Sequence, residues 1–289
     1  MPPPDTTRFA PSPTGALHLG HAYAALLAHG AARETGGRFL IRMEDLDQGR
    51  CEARYETGIL EDLAWLGLHG DGPVRRQSER LAAYRLALEA LSAQGLVYPC
   101  FCTRGAIARE IAAMANAPQG PDGPLYPGTC RQLSADERHV RLAAGDAHAL
   151  RLDIGRAVER LHSTELRFEE TGQGPAGESG PIVAQPGLLG DLVLGRKDFG
   201  VSYHLAVVVD DADQRVSLVT RGDDLFSAAH AQRLLQALLG LPAPRYRHHA
   251  LILNAEGRRL AKRDHAQTLA ELRARGVTPK EIRQQLGLG

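Results

Sequence analysis

A short extended run, Thr6 to Ala10, meets a turn-rich loop, Pro11-Ser12-Pro13-Thr14-Gly15, and then a helical stretch rich in Ala and Leu, from about Gly20 to Glu34. This strand–loop–helix opening constrains the fold most. Gly36-Gly37 stops the helix, and Phe39 to Met43 reads as a second apolar strand. Helices are expected from about Ala53 to Leu66 and from Glu79 to Gln94, each ending at a glycine, Gly67 and Gly95. A β-α-β-α order predicts a parallel sheet covered by helices. The pattern resumes late in the chain. Leu205 to Val209 and Val216 to Thr220 read as β-branched strands, Ala228 to Leu239 as an amphipathic helix closed by Gly240, and His249 to Leu253 as another strand. Residues 100–190 break the pattern with Gly, Pro and polar residues and read as an insertion, Thr171 to Gly190 as loop. Residues 1–99 and 191–245 are then two halves of one α/β domain, with residues 246–289 as a short terminal segment. Helices are expected there over Gln267 to Arg275 and Pro279 to Leu286, the second opened by Thr278-Pro279-Lys280-Glu281, with a capping Thr, Pro at the first helical position and Glu three after the cap.

Composition narrows the class. Of 289 residues, 43% are hydrophobic and 24% charged, which excludes disorder as the main state. No apolar run approaches the ~20 residues of a membrane-spanning helix. Met1-Pro2-Pro3-Pro4-Asp5 has no basic region followed by an apolar core, so a cytoplasmic protein is expected. The 34 basic and 34 acidic residues cancel, but unevenly. Residues 245–289 carry ten Lys/Arg and four Asp/Glu, a local +6 against −6 for the rest, so a nucleic-acid partner stays open. Arginine outnumbers lysine 31 to 3, so a lysine in a special position, such as Lys262, stands out.

The opening loop leads into His18-Leu19-Gly20-His21. Histidines three apart at a helix entry share one face. The helix N-terminus favours anions, and Gly20 allows a flat base or sugar close to the backbone. The combination suits a nucleoside triphosphate under attack at its α-phosphate. Farther on, Cys100-Phe101-Cys102 and Cys130 form a thiol cluster, which in a cytosolic chain points to a metal or redox site. Three thiolates need a fourth donor. His139 is the conventional candidate, and Tyr126 lies four before Cys130.

Pro-Ser-Pro-Thr-Gly-x-Leu-His-Leu-Gly-His resembles the HIGH signature of class I aminoacyl-tRNA synthetases in its glutamyl form. Four later blocks are similar to that family in the same order. They are Arg42-Met43-Glu44-Asp45-Leu46-Asp47, the run from Tyr203 to Asp211, Val219-Thr220-Arg221-Gly222-Asp223-Asp224, and Arg259-Leu260-Ala261-Lys262-Arg263, the last like the KMSKS loop. The loop departs from the pattern: Arg259 replaces the usual first lysine and Ala261 the usual serine, while Lys262 is kept. The resemblance implies a Rossmann-type class I synthetase catalytic domain with a zinc-binding insertion and a short helical C-terminal segment. It implies that His18, Gly20, His21 and Lys262 bind ATP, with His18, His21 and Lys262 acting in catalysis. Lys262→Ala is expected to slow ATP–pyrophosphate exchange by ~10²-fold or more, as for loss of one transition-state charge contact. An unchanged rate would remove Lys262 from the mechanism.

A glutamate substrate offers two carboxylates and one ammonium. Arginine forks bind carboxylates, and Arg8 and Arg221 lie next to predicted strand ends, where α/β sheets bind ligands. Glu44 could accept the ammonium, and Tyr203 and Ser12 could add hydrogen bonds. The resemblance implies the same five positions for glutamate: Arg8, Ser12, Glu44, Tyr203 and Arg221. It also implies Tyr126 beside Cys100, Cys102 and Cys130 as a structural Zn²⁺ set, since a Cys-x-Cys…Tyr-x₃-Cys pattern occurs in one subgroup of the family. Only 26 residues, Asp264 to Gly289, follow the KMSKS-like block, too few for an anticodon-binding domain. These features resemble the subgroup that activates glutamate with ATP and Mg²⁺, needs no tRNA for that step, and esterifies glutamate to queuosine in the anticodon of tRNA(Asp). A monomer is expected. The rivals are a truncated glutamyl enzyme charging the 3′ end of tRNA(Glu), a small HxGH adenylyltransferase, and a non-catalytic tRNA-binding paralogue.

Overall fold

The structure, a computed structural model, describes residues 3–114, 116–121, 123–161, 165–198, 200–253 and 267–288. The first half runs β1 (Thr6–Phe9), α1 (Leu19–Glu34), β2 (Arg38–Met43), α2 (Ala53–Trp65), β3 (Arg75–Arg76), α3 (Leu81–Ala93) and β4 (Val97–Cys100). The middle holds α4 (Arg104–Ala113), β5 (Gln119–Gly120), β6 (Gly123–Pro124), α5 (Ala135–Ala143), β7 (Ala149–Leu152), α6 (Ile154–Arg160), β8 (Arg167–Glu170), β9 (Gly180–Val183) and β10 (Val193–Gly195). The rest is α7 (Tyr203–Asp213), β11 (Leu218–Gly222), α8 (Phe226–Leu238), β12 (Arg245–His249), α9 (Leu269–Ala274) and α10 (Pro279–Gln285).

Strands β1, β2 and β3 pair in parallel in that order. Strands β11, β12 and β8 are also parallel, with β9 antiparallel at the edge. The two groups meet where Ser217 donates its backbone N–H to the Thr6 carbonyl at 3.0 Å. From that seam the chain winds to β2 on one side and from β11 to β12 on the other. Such a reversal of winding leaves a crevice at the carboxyl ends of the strands. One apolar core lies under α1, β2 and α2 and is completed by Leu269, Leu272, Ile282 and Leu286 from the last two helices. A second gathers α3, α7, α8 and β8. A third, much smaller cluster surrounds Tyr98, Phe101 and the cysteines.

The expected strand over Leu205–Val209 is a helix, α7. Its apolar run is buried in the second core, together with Asp210 and Asp211. A helix buried on most faces reads as a continuous apolar run, which period alone cannot tell from an interior strand. The expected strand His249–Leu253 ends where it was meant to begin. In β12, Tyr246 and His248 point inward between exposed-side Arg245 and Arg247, a polar alternation that the apolar Ala250–Leu253 run outweighed in the sequence. Thr171–Gly190 is not loop throughout, since Gly180–Val183 pairs with Arg167–Glu170. Glu170 in turn aligns with Tyr246, so this part of the stretch read as an insertion joins the sheet that carries the crevice. The two terminal helices form as expected. Thr278 accepts the Glu281 N–H at 3.3 Å while the Glu281 carboxylate accepts the Thr278 N–H at 2.8 Å. Among the described residues no helix is long and apolar enough to cross a membrane.

Candidate active site

The crevice is a cleft of about 420 Å³ at the carboxyl ends of β1, β2 and β11. Arg8, Ser12, His18, Gly20, His21, Glu44, Tyr203 and Arg221 all line it. All of the glutamate and ATP residues expected from the sequence that lie among the described residues therefore converge on one space. Lys262, with Arg259 and Ala261, lies outside the described residues.

His18 is the N-cap of α1. Its Nδ1 accepts the Gly20 N–H at 3.1 Å, and its own N–H is donated to His21 Nδ1 at 3.2 Å. The rings lie 3.8 Å apart, tilted by 34°. With each Nδ1 an acceptor, the neutral rings carry their protons on Nε2. A pair that caps its own helix is held rigidly at the positive end of the helix dipole. A Cβ on Gly20 would lie 3.1 Å from the His18 ring, so the glycine makes room for the imidazole as well as for a ligand.

Arg8 is buried. Its Nε donates to Asp211 Oδ1 at 3.1 Å and its Nη1 to the Thr220 carbonyl at 3.4 Å. The same Asp211 oxygen accepts from Arg42 Nη1 at 2.7 Å, and Arg42 Nη2 reaches Glu44 at 3.5 Å. Burial would raise the Asp211 carboxyl, but the two guanidinium groups outweigh it and hold it below the usual range. Arg42 is wholly buried; desolvation works against its charge, and Asp211, Glu44 and Asp210 more than restore it. Glu44 is pushed above its ordinary value by burial, opposed by Arg42 and Arg8. Asp210 accepts from Tyr84 Oη at 2.7 Å and Gln77 Nε2 at 3.1 Å. In the sequence the Asp210-Asp211 pair is only part of the block that resembles the family. Its physical role is to anchor Arg8 and Arg42 from the end of α7, legible only once α7 is known to be a helix.

Arg221 sits at the end of β11. Its Nε donates to His248 Nε2 at 3.0 Å, and its Nη1 to Gln232 Oε1 at 3.0 Å and Tyr203 Oη at 3.5 Å. Its Nη2 is buried without a hydrogen-bond partner among the described residues. Ser12 is exposed at the rim. The arrangement offers guanidinium donors, one carboxylate and two imidazoles to a zwitterionic, anionic ligand.

The cysteines form the second constellation. The sulfurs of Cys100, Cys102 and Cys130 lie within 4.8 Å of one another, and those of Cys102 and Cys130 are 3.4 Å apart. Tyr126 Oη is 3.5 Å from Cys100 Sγ and 3.7 Å from Cys102 Sγ. A tetrahedral ion with bonds near 2.3 Å to sulfur and 2.0 Å to oxygen spaces its ligands by about 3.8 Å (S to S) and about 3.5 Å (S to O). The three cysteines could hold a metal ion, and the Tyr126 phenol lies beside two of them at a spacing near that of an oxygen ligand. His139 is exposed on α5 and outside the cluster. Burial pushes the Cys102 thiol up to about 11 and raises the Tyr126 phenol, so bound positive charge is what would deprotonate them. A second cleft, of about 360 Å³, runs from Tyr126 and Arg151 to Tyr203, Asp224 and Leu225, which it shares with the first.

Fold and site together define a class I aminoacyl-tRNA synthetase catalytic domain. The family described as tRNA synthetases class I (E and Q), catalytic domain, matches residues 6–288, and the chain belongs to it. It is a ligase. Curated relatives named Glutamyl-Q tRNA(Asp) synthetase are 50% identical in Rhodobacter capsulatus, over 98% of this chain and 99% of that protein. One from Symbiobacterium thermophilum is 44% identical over 95% of this chain and 83% of its own length. A solved glutamate tRNA ligase from Elizabethkingia meningosepticum, in complex with its amino acid, superposes with a TM-score of 0.72 at 28% identity, covering 90% of this chain. The chain spans about half the length of that ligase, 52%. A methionyl-tRNA synthetase from Mycobacterium tuberculosis, 13% identical with a TM-score of 0.57, shares the fold alone.

Proposed function

We propose that this chain activates L-glutamate with ATP, without tRNA, and transfers it to queuosine in the anticodon of tRNA(Asp). The convergence of Arg8, Glu44, Tyr203 and Arg221 with the His18–His21 pair in one cleft carries the activation step. The acceptor is supported by the names of the relatives matching nearly the whole chain.

In the first step a glutamate carboxylate oxygen attacks the ATP α-phosphorus and pyrophosphate leaves. Arg8 and Arg221 take the substrate carboxylates, Glu44 its ammonium, and Tyr203 one further hydrogen bond. Holding the attacking oxygen in line supplies much of the rate. The Nε2–H groups of His18 and His21, with the Lys262 ammonium, stabilise charge on the phosphates. Mg²⁺, bound with ATP, neutralises triphosphate charge. In the second step an acceptor hydroxyl attacks the acyl carbon, AMP departs, and the hydroxyl proton is released.

Zn²⁺ is the ion that three thiolates and a phenolate fit best, with Cys100, Cys102, Tyr126 and Cys130 as structural ligands. Within residues 100–190, between the catalytic halves 1–99 and 191–245, the part outside β8 and β9 serves as a zinc-binding, acceptor-side insertion, while β8 and β9 belong to the catalytic sheet, and residues 246–289 carry the KMSKS-like loop and a stem-contact segment. The cleft between Tyr126 and Tyr203 supports that placement. The enzyme acts as a monomer in the cytoplasm.

The test is acylation with labelled glutamate. Label is expected on tRNA(Asp) that contains queuosine, and none on tRNA(Asp) lacking it. Label on the 3′ end of tRNA(Glu) would favour the truncated glutamyl ligase instead. Absence of glutamate-dependent ATP–pyrophosphate exchange without tRNA would overturn the activation step.

A further inference from the structure

We infer that Glu170 and His248 are positioning residues for Arg221, forming a buried relay that fixes its guanidinium for a substrate carboxylate. The inference rests on the assignment of Arg221 to glutamate. It concerns two residues that no sequence motif marked and that do not line the cleft.

The side chains of both are wholly buried. Glu170 Oε2 lies 2.5 Å from His248 Nδ1, and Glu170 Oε1 accepts the backbone N–H groups of Gly172 at 2.7 Å and His248 at 3.0 Å. On the far side of the ring, Nε2 meets Arg221 Nε at 3.0 Å. A guanidinium can only donate, so His248 Nε2 must be the acceptor. The ring proton therefore sits on Nδ1 and is donated to Glu170. Glu170 fixes the tautomer, and the neutral ring passes an acceptor to Arg221. Protonated His248 would set N–H against N–H and push the guanidinium away. Burial, aided by Arg221, holds His248 below its ordinary value against the pull of Glu170, in keeping with a neutral ring.

The packing is built for this contact. A Cβ at Gly172 would lie 2.4 Å from the His248 carbonyl oxygen, so the backbone just after β8 passes directly over β12. Phe226 lies against the imidazole edge-on, and Tyr246 stacks parallel to it. With Nε committed to His248 and Nη1 to Gln232 and Tyr203, the unpartnered Nη2 is the donor left for a ligand. A wholly buried acid–imidazole pair is a poor device for stability alone, because desolvating a charge costs several kcal/mol. Preorganising an arginine whose remaining nitrogen, Nη2, must meet a carboxylate gives the pair a use.

The experiment is tRNA-free ATP–pyrophosphate exchange at varied glutamate and varied ATP. Glu170→Gln and His248→Leu should each raise the glutamate KM about tenfold or more, with the ATP KM within about twofold. His248→Gln offers both a donor and an acceptor, and should stay within about threefold of the parent. A packing role would rank leucine with glutamine or above it, and would appear as a lower melting temperature at unchanged KM. If Glu170→Gln fails to fold, the glutamine–leucine contrast at His248 decides alone. Parental glutamate KM in His248→Leu, while Arg221→Ala raises it, overturns the relay and leaves the pocket standing. Parental KM in Arg221→Ala overturns both.

Discussion

Arg221→Ala is expected to raise the glutamate KM in ATP–pyrophosphate exchange by ~10²- to 10³-fold, the range for losing one buried charged pairing. Three features make the loss large. The guanidinium is buried, so its bond to a carboxylate is not diluted by water. Its Nε and Nη1 are already fixed, so little ordering entropy is spent when ligand arrives. Removal also leaves His248 Nε2 and Gln232 Oε1 without their donor, so some stability goes too, and melting temperatures must accompany the kinetics. The ATP KM should hardly move. Arg221→Lys keeps the charge but loses the fork, and should fall between the two. An unaltered glutamate KM in the alanine variant would remove Arg221 from the substrate site.

Stripping the metal should have the other large effect. Helices α4 and α5 bury none of their residues, and the cysteine region has only a small apolar cluster of its own. A bound ion would supply the order that such a segment lacks from its own packing. Protein purified without chelator should carry one zinc per chain. Removing it, or replacing Cys102 by serine, should cost about 3–5 kcal/mol and lower the melting temperature by roughly 10 °C. Tyr126→Phe should weaken zinc binding while the three sulfurs keep some of it. Metal analysis that finds no zinc would end the assignment, and zinc affinity unchanged in Tyr126→Phe would remove the phenolate from the ligand set.

The site was more legible in the sequence than the elements that carry it. The strand–loop–helix opening specifies its own geometry, because a proline- and glycine-rich turn before an alanine-rich run can only end a strand and start a helix. The capping box at Thr278 is equally local. Helix α7 reads as a strand because its signal, a buried apolar run, is shared with interior strands. The partners of Arg8 and His248 were hidden for another reason. Asp211 lies 203 positions from Arg8, and Glu170 lies 78 from His248, distances over which a single sequence carries no pairing signal. The residues that line the cleft announced themselves by motif; those that hold them in place became visible only with the topology.

One modest contact reaches beyond the site. Thr268 forms an isolated bridge with His18, and Leu269 N–H bonds the Leu17 carbonyl at 2.9 Å, just before α9 and α10 complete the first core. The loop that presents the histidines is therefore clasped by a segment about 250 positions away. Closing so long a span comes late in folding, after the local helices and hairpins have formed. On the ribosome, the first half must wait for nearly the last described residues before its apolar face is covered. Residues 17–21 thus acquire their working shape among the last parts of the molecule, and a nascent chain stalled short of Thr268 would expose an unfinished core rather than a smaller, functional enzyme.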